Sequence, residues 1–241
     1  MQMSAVIAGS IAVAAIGGVI RGATGFGGAM VMTPTMSLLL GPIPAVVSAL
    51  LLETFAAFKM MPAAVRTANW STIAPIGAAA CMTAPLGGYL LMTLDPQLMR
   101  RAIAATVVVF SLLLLAGLRY RGTQRVGTSI ALGALSGVLV GATSVGAPPV
   151  IVYLLASSDR SEVTRANLTL FVTIISLAAL IVMTWNGMLD RTNALRALAL
   201  SPCYFGGVWL GNHLFGRVNA SVMRLWTLIF LVIVSATVLA L

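Results

Sequence analysis

The chain has 241 residues, of which 60% are hydrophobic and only 8% are charged, with a formal net charge of +9. A soluble domain has charges at roughly a quarter of its positions, so this chain cannot cover a water-exposed surface, and most of its exterior must face lipid. The composition also excludes disorder, which requires low hydrophobicity. The basic residues form no patch or stripe typical of nucleic-acid binding.

Gly, Pro and charged residues divide the chain into ten apolar segments that we predict to be helices: 4–20, 28–40, 43–61, 71–93, 97–118, 127–141, 147–157, 163–186, 194–214 and 219–240. Most have the roughly 17–25 residues that a membrane-spanning helix needs. We expect the first to be a retained helix, because no basic segment precedes it as in a signal peptide. The predicted fold is an all-α polytopic transmembrane helix bundle, forming a single integral membrane domain.

Two of the segments, 28–40 and 147–157, are too short to cross a hydrocarbon core of about 30 Å alone. Each follows a glycine-rich break and contains proline, at Pro34 in the first and at Pro148 and Pro149 in the second. Irregular backbone at membrane depth is stable only where protein buries it or where it lines a water-filled cavity. The two breaks are therefore the first candidate sites, whether the short helices cross or are re-entrant.

The sequence contains an internal repeat with an offset of 119 residues. Residues 10–24 and 129–143 are identical at nine of fifteen positions, and Gly87-Gly88 matches Gly206-Gly207. We predict a first repeat over 1–120 and a second over 127–241. Each contains five segments, and if all five cross, the second repeat is inverted relative to the first, as in many secondary transporters.

The loop charges favour this inverted arrangement. With ten crossings, ten Arg and Lys residues lie on one side of the membrane and four, Arg100, Arg101, Arg191 and Arg196, lie on the other. With re-entrant short segments the count becomes seven against seven. Since positive residues concentrate in cytoplasmic loops, we predict ten crossings with both termini outside the cytoplasm.

The two breaks occupy equivalent positions in the two halves, and we predict that they bind a small anion. Glycine lets the backbone leave the helix so that N–H groups converge on one point, and the following helix N-terminus adds donors and partial positive charge. Close helix packing is the alternative role of such glycines. The candidate binding residues are Arg21, Gly22, Ala23, Thr24, Gly25, Phe26, Gly27, Gly28, Gly141, Ala142, Thr143, Ser144, Val145 and Gly146.

Two ionisable residues distinguish the first half, because Arg21 aligns with Val140 and Glu53 with Val172. A charge near the centre of a spanning segment costs roughly 2.5 to 3.5 kcal/mol on insertion scales, so Glu53 requires a partner or a task. It is either a structural ion pair or protonated carboxyl, or a residue that couples transport to a proton or cation. Arg21 is either the counter-charge for an anion or an interfacial anchor.

No cofactor, metal site or catalytic group is predicted. Cys81 and Cys203 lie far apart in apolar segments, without CxxC spacing or a histidine cluster, and we interpret both as core residues. The single histidine, His213, has no role that we can assign. Five scattered carboxylates provide no acid, base or metal constellation, so we do not expect an enzyme.

The residues from Arg21 to Gly28 followed by Thr33-Pro34, with Gly141 to Leu155 and then Arg165-Ala166-Asn167, resemble the sulfite exporter TauE/SafE family. The resemblance covers nearly the whole chain. It implies a bacterial-type inner-membrane transporter of small sulfur-containing anions such as sulfite or organosulfonates. The second motif departs from the usual glycine-dense pattern at Ser144 and Ala147.

Together these observations predict a proton-coupled secondary transporter that works by alternating access, with a midplane site between the repeats. The anion and the lipid bilayer are the expected partners, and a homodimer is plausible for so small a bundle. A passive anion channel and a non-transport subunit of a membrane complex are the alternatives.

Overall fold

A computed structural model describes residues 2–24, 27–58, 61–117, 125–154, 160–215 and 220–240. Over these ranges the chain forms eleven α-helices and no strand: α1 (Gln2–Thr24), α2 (Gly28–Leu40), α3 (Pro42–Phe58), α4 (Met61–Thr67), α5 (Trp70–Thr93), α6 (Pro96–Leu115), α7 (Val126–Thr143), α8 (Ala147–Leu154), α9 (Ser161–Trp185), α10 (Arg191–Phe215) and α11 (Ala220–Ala240). The predicted all-α polytopic bundle is confirmed.

One helix, α4, was not predicted. The sequence suggested one segment over 43–61, but α3 ends at Phe58 and α4 begins at Met61. Pro62 lies in the first turn of α4, where proline is tolerated because the first helical N–H groups have no partner within the helix. Together α3 and α4 occupy the predicted segment and extend it to Thr67.

Five helices in the described part of the chain are long and apolar enough to cross a membrane, covering Ala5–Thr24, Trp70–Thr93, Pro96–Leu115, Val126–Thr143 and Glu162–Trp185. Together α3 and α4, bent by 67°, would make a sixth. Large side chains such as Met82, Trp185 and Trp209 are exposed, as expected for a surface that faces lipid. The ten crossings stay a prediction.

The most extensive helix contacts are those between α1 and α10 and between α5 and α7. Four glycines lie so close to the partner helix that a Cβ atom would overlap one of its carbonyl oxygens. In α1, Gly18 lies at the carbonyl of Tyr204 and Gly22 at that of Val208. In α7, Gly137 lies at the carbonyl of Ala80 and Gly141 at that of Ala84. Small residues allow this close backbone approach. Because the first helix of each half packs on a helix of the other half, the repeats are not separate packing units.

These contacts correct the register of the repeat in its later part. Gly211 approaches the carbonyl of Val19, and Gly87 approaches the carbonyl of Val138. Since Val19 and Val138 are equivalent, Gly87 corresponds to Gly211, which lies 124 residues later, and not to Gly206. Among the described residues, a Cβ on Gly206 would have no neighbouring atom within 4 Å, so Gly206 is not needed for a close helix contact, although the sequence pairs it with Gly87.

The burial of α6 and α11 follows the same longer offset. Four pairs of positions 124 residues apart are buried in both helices: Ala104, Val107, Ser111 and Leu114 in α6, and Leu228, Leu231, Ser235 and Val238 in α11. The second half therefore has about five additional residues between its first and last helices, a difference that an offset taken from the N-terminal identities alone did not show.

Helix directions follow from which residues meet. In α5, Gly77 lies near Ile174 and Gly88 near Val182 of α9, so these helices are parallel. The contacts of α5 with α7 are parallel in the same way. The C-terminal end of α1 and the N-terminal end of α9 line one cleft, so α1 runs opposite to α9, and hence to α7. Opposite directions of the first helices are what an inverted repeat requires.

Candidate functional site

The first break connects α1 to α2. Gly27 has a φ of 90°, a left-handed conformation that glycine adopts without steric cost. Its carbonyl accepts the N–H of Val31 at 3.3 Å, which starts α2. Gly25 and Phe26, two of the predicted binding residues, lie outside the described residues.

The start of α2 lies inside the bundle and not at its surface. The two helices are antiparallel, because Gly17 of α1 adjoins Gly28 and Met32 while Gly9 adjoins Leu39. Gly28 is therefore level with a residue about seven positions before the end of α1, or roughly 10 Å from that end at 1.5 Å per residue. The break thus delivers a helix N-terminus to the interior.

The second break connects α7 to α8 with different residues. Ser144 has a φ of 59°, and it is the only non-glycine residue with positive φ in the described ranges. Its N–H donates to the carbonyl of Val140 at 2.9 Å, which closes α7. A Cβ on Gly146 would overlap Val140 and the carbonyl of Ser136. The two prolines that follow have no N–H, so α8 begins with fewer donors than α2.

Both breaks line one small cavity of about 40 Å³. Four pairs of equivalent positions line it together: Arg21 and Val140, Glu53 and Val172, Gly27 and Gly146, and Ala29 and Pro148. Phe171, Ile175 and Ser176 of α9 complete one wall. The cavity therefore lies where the two halves meet.

An ion pair dominates the polar side of this cavity. The Nε of Arg21 lies 3.2 Å from Oε2 of Glu53, and both side chains are more than nine-tenths buried. Oε1 of Glu53 accepts the backbone N–H of Ala29 at 3.0 Å and the hydroxyl of Tyr204 at 3.2 Å. One carboxylate is thus held by a guanidinium, the start of a helix and a phenol.

Gly28 makes room for this carboxylate. A Cβ at this position would overlap Oε1 of Glu53 and lie 3.1 Å from the Cβ of Arg21. Position 28 must therefore have no side chain for Glu53 to reach the N–H of Ala29. From the sequence we expected Gly28 to make room for a bound anion. In the structure it makes room for the carboxylate of Glu53.

The second half lacks each element of this arrangement. Val172 replaces Glu53, Ala147 replaces Gly28, and Pro148 replaces Ala29. Without a carboxylate, a Cβ at 147 meets no acidic side chain, and proline removes the N–H that would otherwise need an acceptor. The substitutions are chemically consistent with one another, and they account for the departure from the glycine-dense pattern at Ala147.

The predicted site residues divide into two groups. Those that line the cavity are Arg21, Glu53, Gly27, Ser144, Val145 and Gly146. Gly22, Ala23, Gly28, Gly141 and Ala142 instead lie within or at the ends of helices, where Gly22 and Gly141 allow close contact with α10 and α5. The packing role that we kept as the alternative therefore applies to those two glycines.

The threonine hydroxyls point to their own helices. Thr24 Oγ1 donates to the carbonyl of Ile20 at 2.8 Å, and Thr143 Oγ1 donates to the carbonyl of Leu139 at 2.7 Å while accepting the N–H of Val145. This back-bonding is common for threonine in helices, and it occupies the hydroxyl proton of both candidate residues. Ser144 differs, because its hydroxyl meets that of Thr33 across the two breaks.

Sequence reasoning missed Tyr204. It is fully buried in α10 and carries no charge, so an apolar segment concealed it. A buried tyrosine hydroxyl usually has a hydrogen-bond partner. This rule alone could have indicated that Tyr204 makes a polar contact. Nothing in the sequence indicated that the partner is Glu53, 151 positions away.

A larger cleft of about 680 Å³ adjoins the site at the end of the bundle where α1 and α10 end and α9 begins. Arg21 lines both spaces. Polar residues of the cleft include Thr67, Glu162, Arg165, Thr169 and Asn212. The ion pair therefore stands between the small cavity and an open, polar approach.

The repeat-equivalent positions of this cleft are packed. Residues equivalent to five that line the cleft (Ala56, Ala64, Arg165, Ala166 and Thr169) are Ile175, Met183, Val46, Val47 and Leu50, respectively. All five belong to one buried apolar cluster. The cleft is therefore open in one half where the equivalent positions of the other half are buried and apolar.

The sequence model of one protein family, described as "Sulfite exporter TauE/SafE", matches residues 10–238. Comparisons with curated proteins and with solved structures found no match. The match covers both breaks, Glu53, Tyr204 and the cleft.

Proposed function

The chain belongs to the sulfite exporter TauE/SafE family, and from this premise we propose that it is a secondary-active transporter of a small anion such as sulfite or an organosulfonate. We further propose a bacterial-type inner (plasma) membrane as its location. The substrate would bind in the cavity between two inverted repeats and be exchanged between the two sides by alternating access.

The observation that carries this proposal is the cavity lined by both breaks. Arg21 supplies the positive charge, and the start of α2 supplies backbone donors and a positive dipole end. A site between two repeats is the usual location in transporters of this architecture. Neither break alone encloses a space, which explains why the sequence carries both.

The size of the cavity fits a small anion. In this measure a water molecule needs about 10–15 Å³, so 40 Å³ accommodates about three water-sized groups. A sulfur atom with three oxygens falls into this class. A large organic substrate would require the cavity to open into the neighbouring cleft.

The difference between the cleft and its repeat-equivalent positions supports alternating access. The open cleft gives one side a polar path to Arg21, while the equivalent path on the other side is filled by the buried cluster around Val46, Leu50 and Met183. If the cleft closed and the equivalent path opened, the site would be exposed to the other side of the membrane. On the charge distribution of the loops, the open cleft faces the cytoplasm.

Glu53 is the proposed coupling residue. It lies beside the cavity, and Arg21 connects its surroundings to the cleft from which a proton can arrive. Intramembrane carboxylates commonly act as proton relays. Glu53→Gln should abolish flux driven by a proton gradient while leaving anion binding measurable, and unchanged pH dependence of flux in that variant would remove Glu53 from the mechanism.

The experiment that tests the proposal combines binding and transport with the purified full chain. Thermal unfolding in detergent with sulfite, sulfate, organosulfonates and carboxylates should show stabilisation by at least one sulfur anion, because a ligand that binds only the folded state stabilises it. In liposomes, a proton gradient should concentrate that anion. Stabilisation by none of them would contradict the proposal, and flux that never exceeds equilibration would indicate a passive channel.

A further inference from the structure

We propose that the carboxylate of Glu53 is a tethered competitor for the transported anion. Ionised, it occupies the anion's contacts with Arg21 and the start of α2; protonated, it releases them. This inference rests on the proposed function and specifies how its site is regulated.

The contacts of Glu53 are those expected of a bound anion. Its two oxygens meet the guanidinium of Arg21, the N–H of Ala29 at the start of α2 and the hydroxyl of Tyr204. Guanidinium groups and helix N-termini are also the usual donors for sulfate, phosphate and sulfonate oxygens. The protein thus fills the strongest anion-binding contacts of this cavity with its own side chain.

The sequence around Glu53 is adapted to this occupancy. Gly28 leaves the space into which Oε1 projects, and the equivalent half-site, with Ala147, Pro148 and Val172, has neither the carboxylate nor the N–H. If the ion pair served only to hold helices together, a donor from the start of α2 would not be needed. The added N–H makes the position a binding site for negative charge.

The charge of the site then depends on Glu53 alone. The groups that face its carboxylate are Arg21 from α1 and Tyr204 from α10, while the residues of α2 and α9 that line the cavity have no titratable side chain. With Glu53 ionised, its charge cancels that of Arg21, and an arriving anion meets a second negative charge nearby. With Glu53 protonated, the net charge is positive and Arg21 can pair with the substrate.

Competition of this kind couples the two ligands. A proton that binds Glu53 favours anion binding, and by linkage a bound anion favours protonation of Glu53. One proton and one anion would therefore occupy and leave the site together, without a separate proton pathway.

The test measures affinity for sulfate and methanesulfonate, whose charges stay constant around neutral pH, by isothermal titration of the full chain in detergent from mildly acidic to mildly alkaline pH. For the native protein we expect affinity to fall as the pH rises. Removing the competing charge in Glu53→Gln should raise affinity at alkaline pH by roughly tenfold or more, since like charges at close range cost at least that much. The affinity of this variant should no longer depend on pH.

Tyr204→Phe provides a second variant that keeps both charges and removes only one contact of the carboxylate. It should raise affinity at alkaline pH by a smaller factor and keep the pH dependence. This variant decides the question if Glu53→Gln does not fold with Arg21 unpaired.

Two results would overturn the proposal while leaving transport intact: anion affinity in Glu53→Gln that is no higher than in the native protein at alkaline pH, or pH dependence that persists in that variant. In Tyr204→Phe, unchanged or lower affinity would count against it in the same way. A native protein and variants that bind neither anion nor sulfite at any pH would instead contradict the proposed function.

Discussion

The two glycine-rich breaks share a backbone plan but differ in their chemistry. At the first, the N–H of Ala29 at the start of α2 donates to the carboxylate of Glu53. At the second, α8 begins with two prolines, and a valine occupies the position of the acid. The repeat thus preserves a shared cavity lining, while the first half alone supplies its charged residues.

The largest expected effect comes from removing one member of the ion pair. Glu53→Val leaves the guanidinium of Arg21 buried without its carboxylate, and breaking a buried pair costs roughly 3–5 kcal/mol of the free energy of unfolding. Reversible unfolding in mixed micelles measures this loss. A variant as stable as the native protein would show that the pair does not stabilise the fold.

The matched control makes the first break a copy of the second. The combination Arg21→Val, Glu53→Val and Ala29→Pro removes the pair and the N–H together, so most of the lost stability should return, since an apolar replacement of a buried pair is often neutral. Stabilisation by anions should nevertheless disappear. If anions still bound this variant, the charge of the first break would not be what recognises them.

A smaller effect is expected from exchanging glycine and alanine between the breaks. Gly28→Ala places a Cβ on the Glu53 carboxylate, and overpacking of this kind costs roughly 1–3 kcal/mol. Ala147→Gly should cost only about 0.5–1 kcal/mol, the usual penalty of glycine in a helix. The same unfolding measurement compares the two.

The interpretation of the glycine exchange depends on Glu53. In a Glu53→Val background the Cβ at 28 has more space, so the additional cost of Gly28→Ala should fall well below its cost in the native protein. Equal costs in both backgrounds would mean that Gly28 is needed for helix packing and not for the carboxylate.

The smallest effect is expected at Ser144. Ser144→Gly removes an unfavourable left-handed conformation worth roughly 1–2 kcal/mol but loses the contact with Thr33, worth about 0.5–1.5 kcal/mol, so the stability should change little. Ser144→Ala keeps the conformation and loses the contact, and it should therefore unfold more easily than Ser144→Gly. The reverse order would show that the left-handed conformation at this position carries no cost. Ser144→Ala as stable as the native protein would show that the hydroxyl contact contributes nothing.

Part of this arrangement could be predicted from the sequence. The bounds of α2 at 28 and 40, the two breaks and the need of Glu53 for a partner all follow from local patterns, because glycine, proline and an intramembrane charge act through the chain near them. The choice of partner does not. Arg21 was a candidate counter-charge for the substrate, and only the packing of α1 and α3 against α2 and α10 places it beside Glu53.

Other features depended on geometry that no local pattern contains. The hydroxyls of Thr24 and Thr143 belong to the motif, but their rotamers turn them to their own helices. Tyr204 joins the site from the other half because α10 packs against α1 through glycines. The later register of the repeat was hidden because few identities mark it, whereas the buried faces of α6 and α11 show it directly.

The glycine contacts between α1 and α10 also constrain how the protein is made. Gly18 meets Tyr204, which is synthesised roughly 190 residues later, a wait of about 10–40 s at about 5–20 residues per second. Until then the newly inserted α1 exposes its glycine face to lipid, and Glu53 has no tyrosine hydroxyl beside it. The glycine face of α1 is therefore covered only when α10 arrives, and a chain shortened before Tyr204 should be a substrate for membrane proteases.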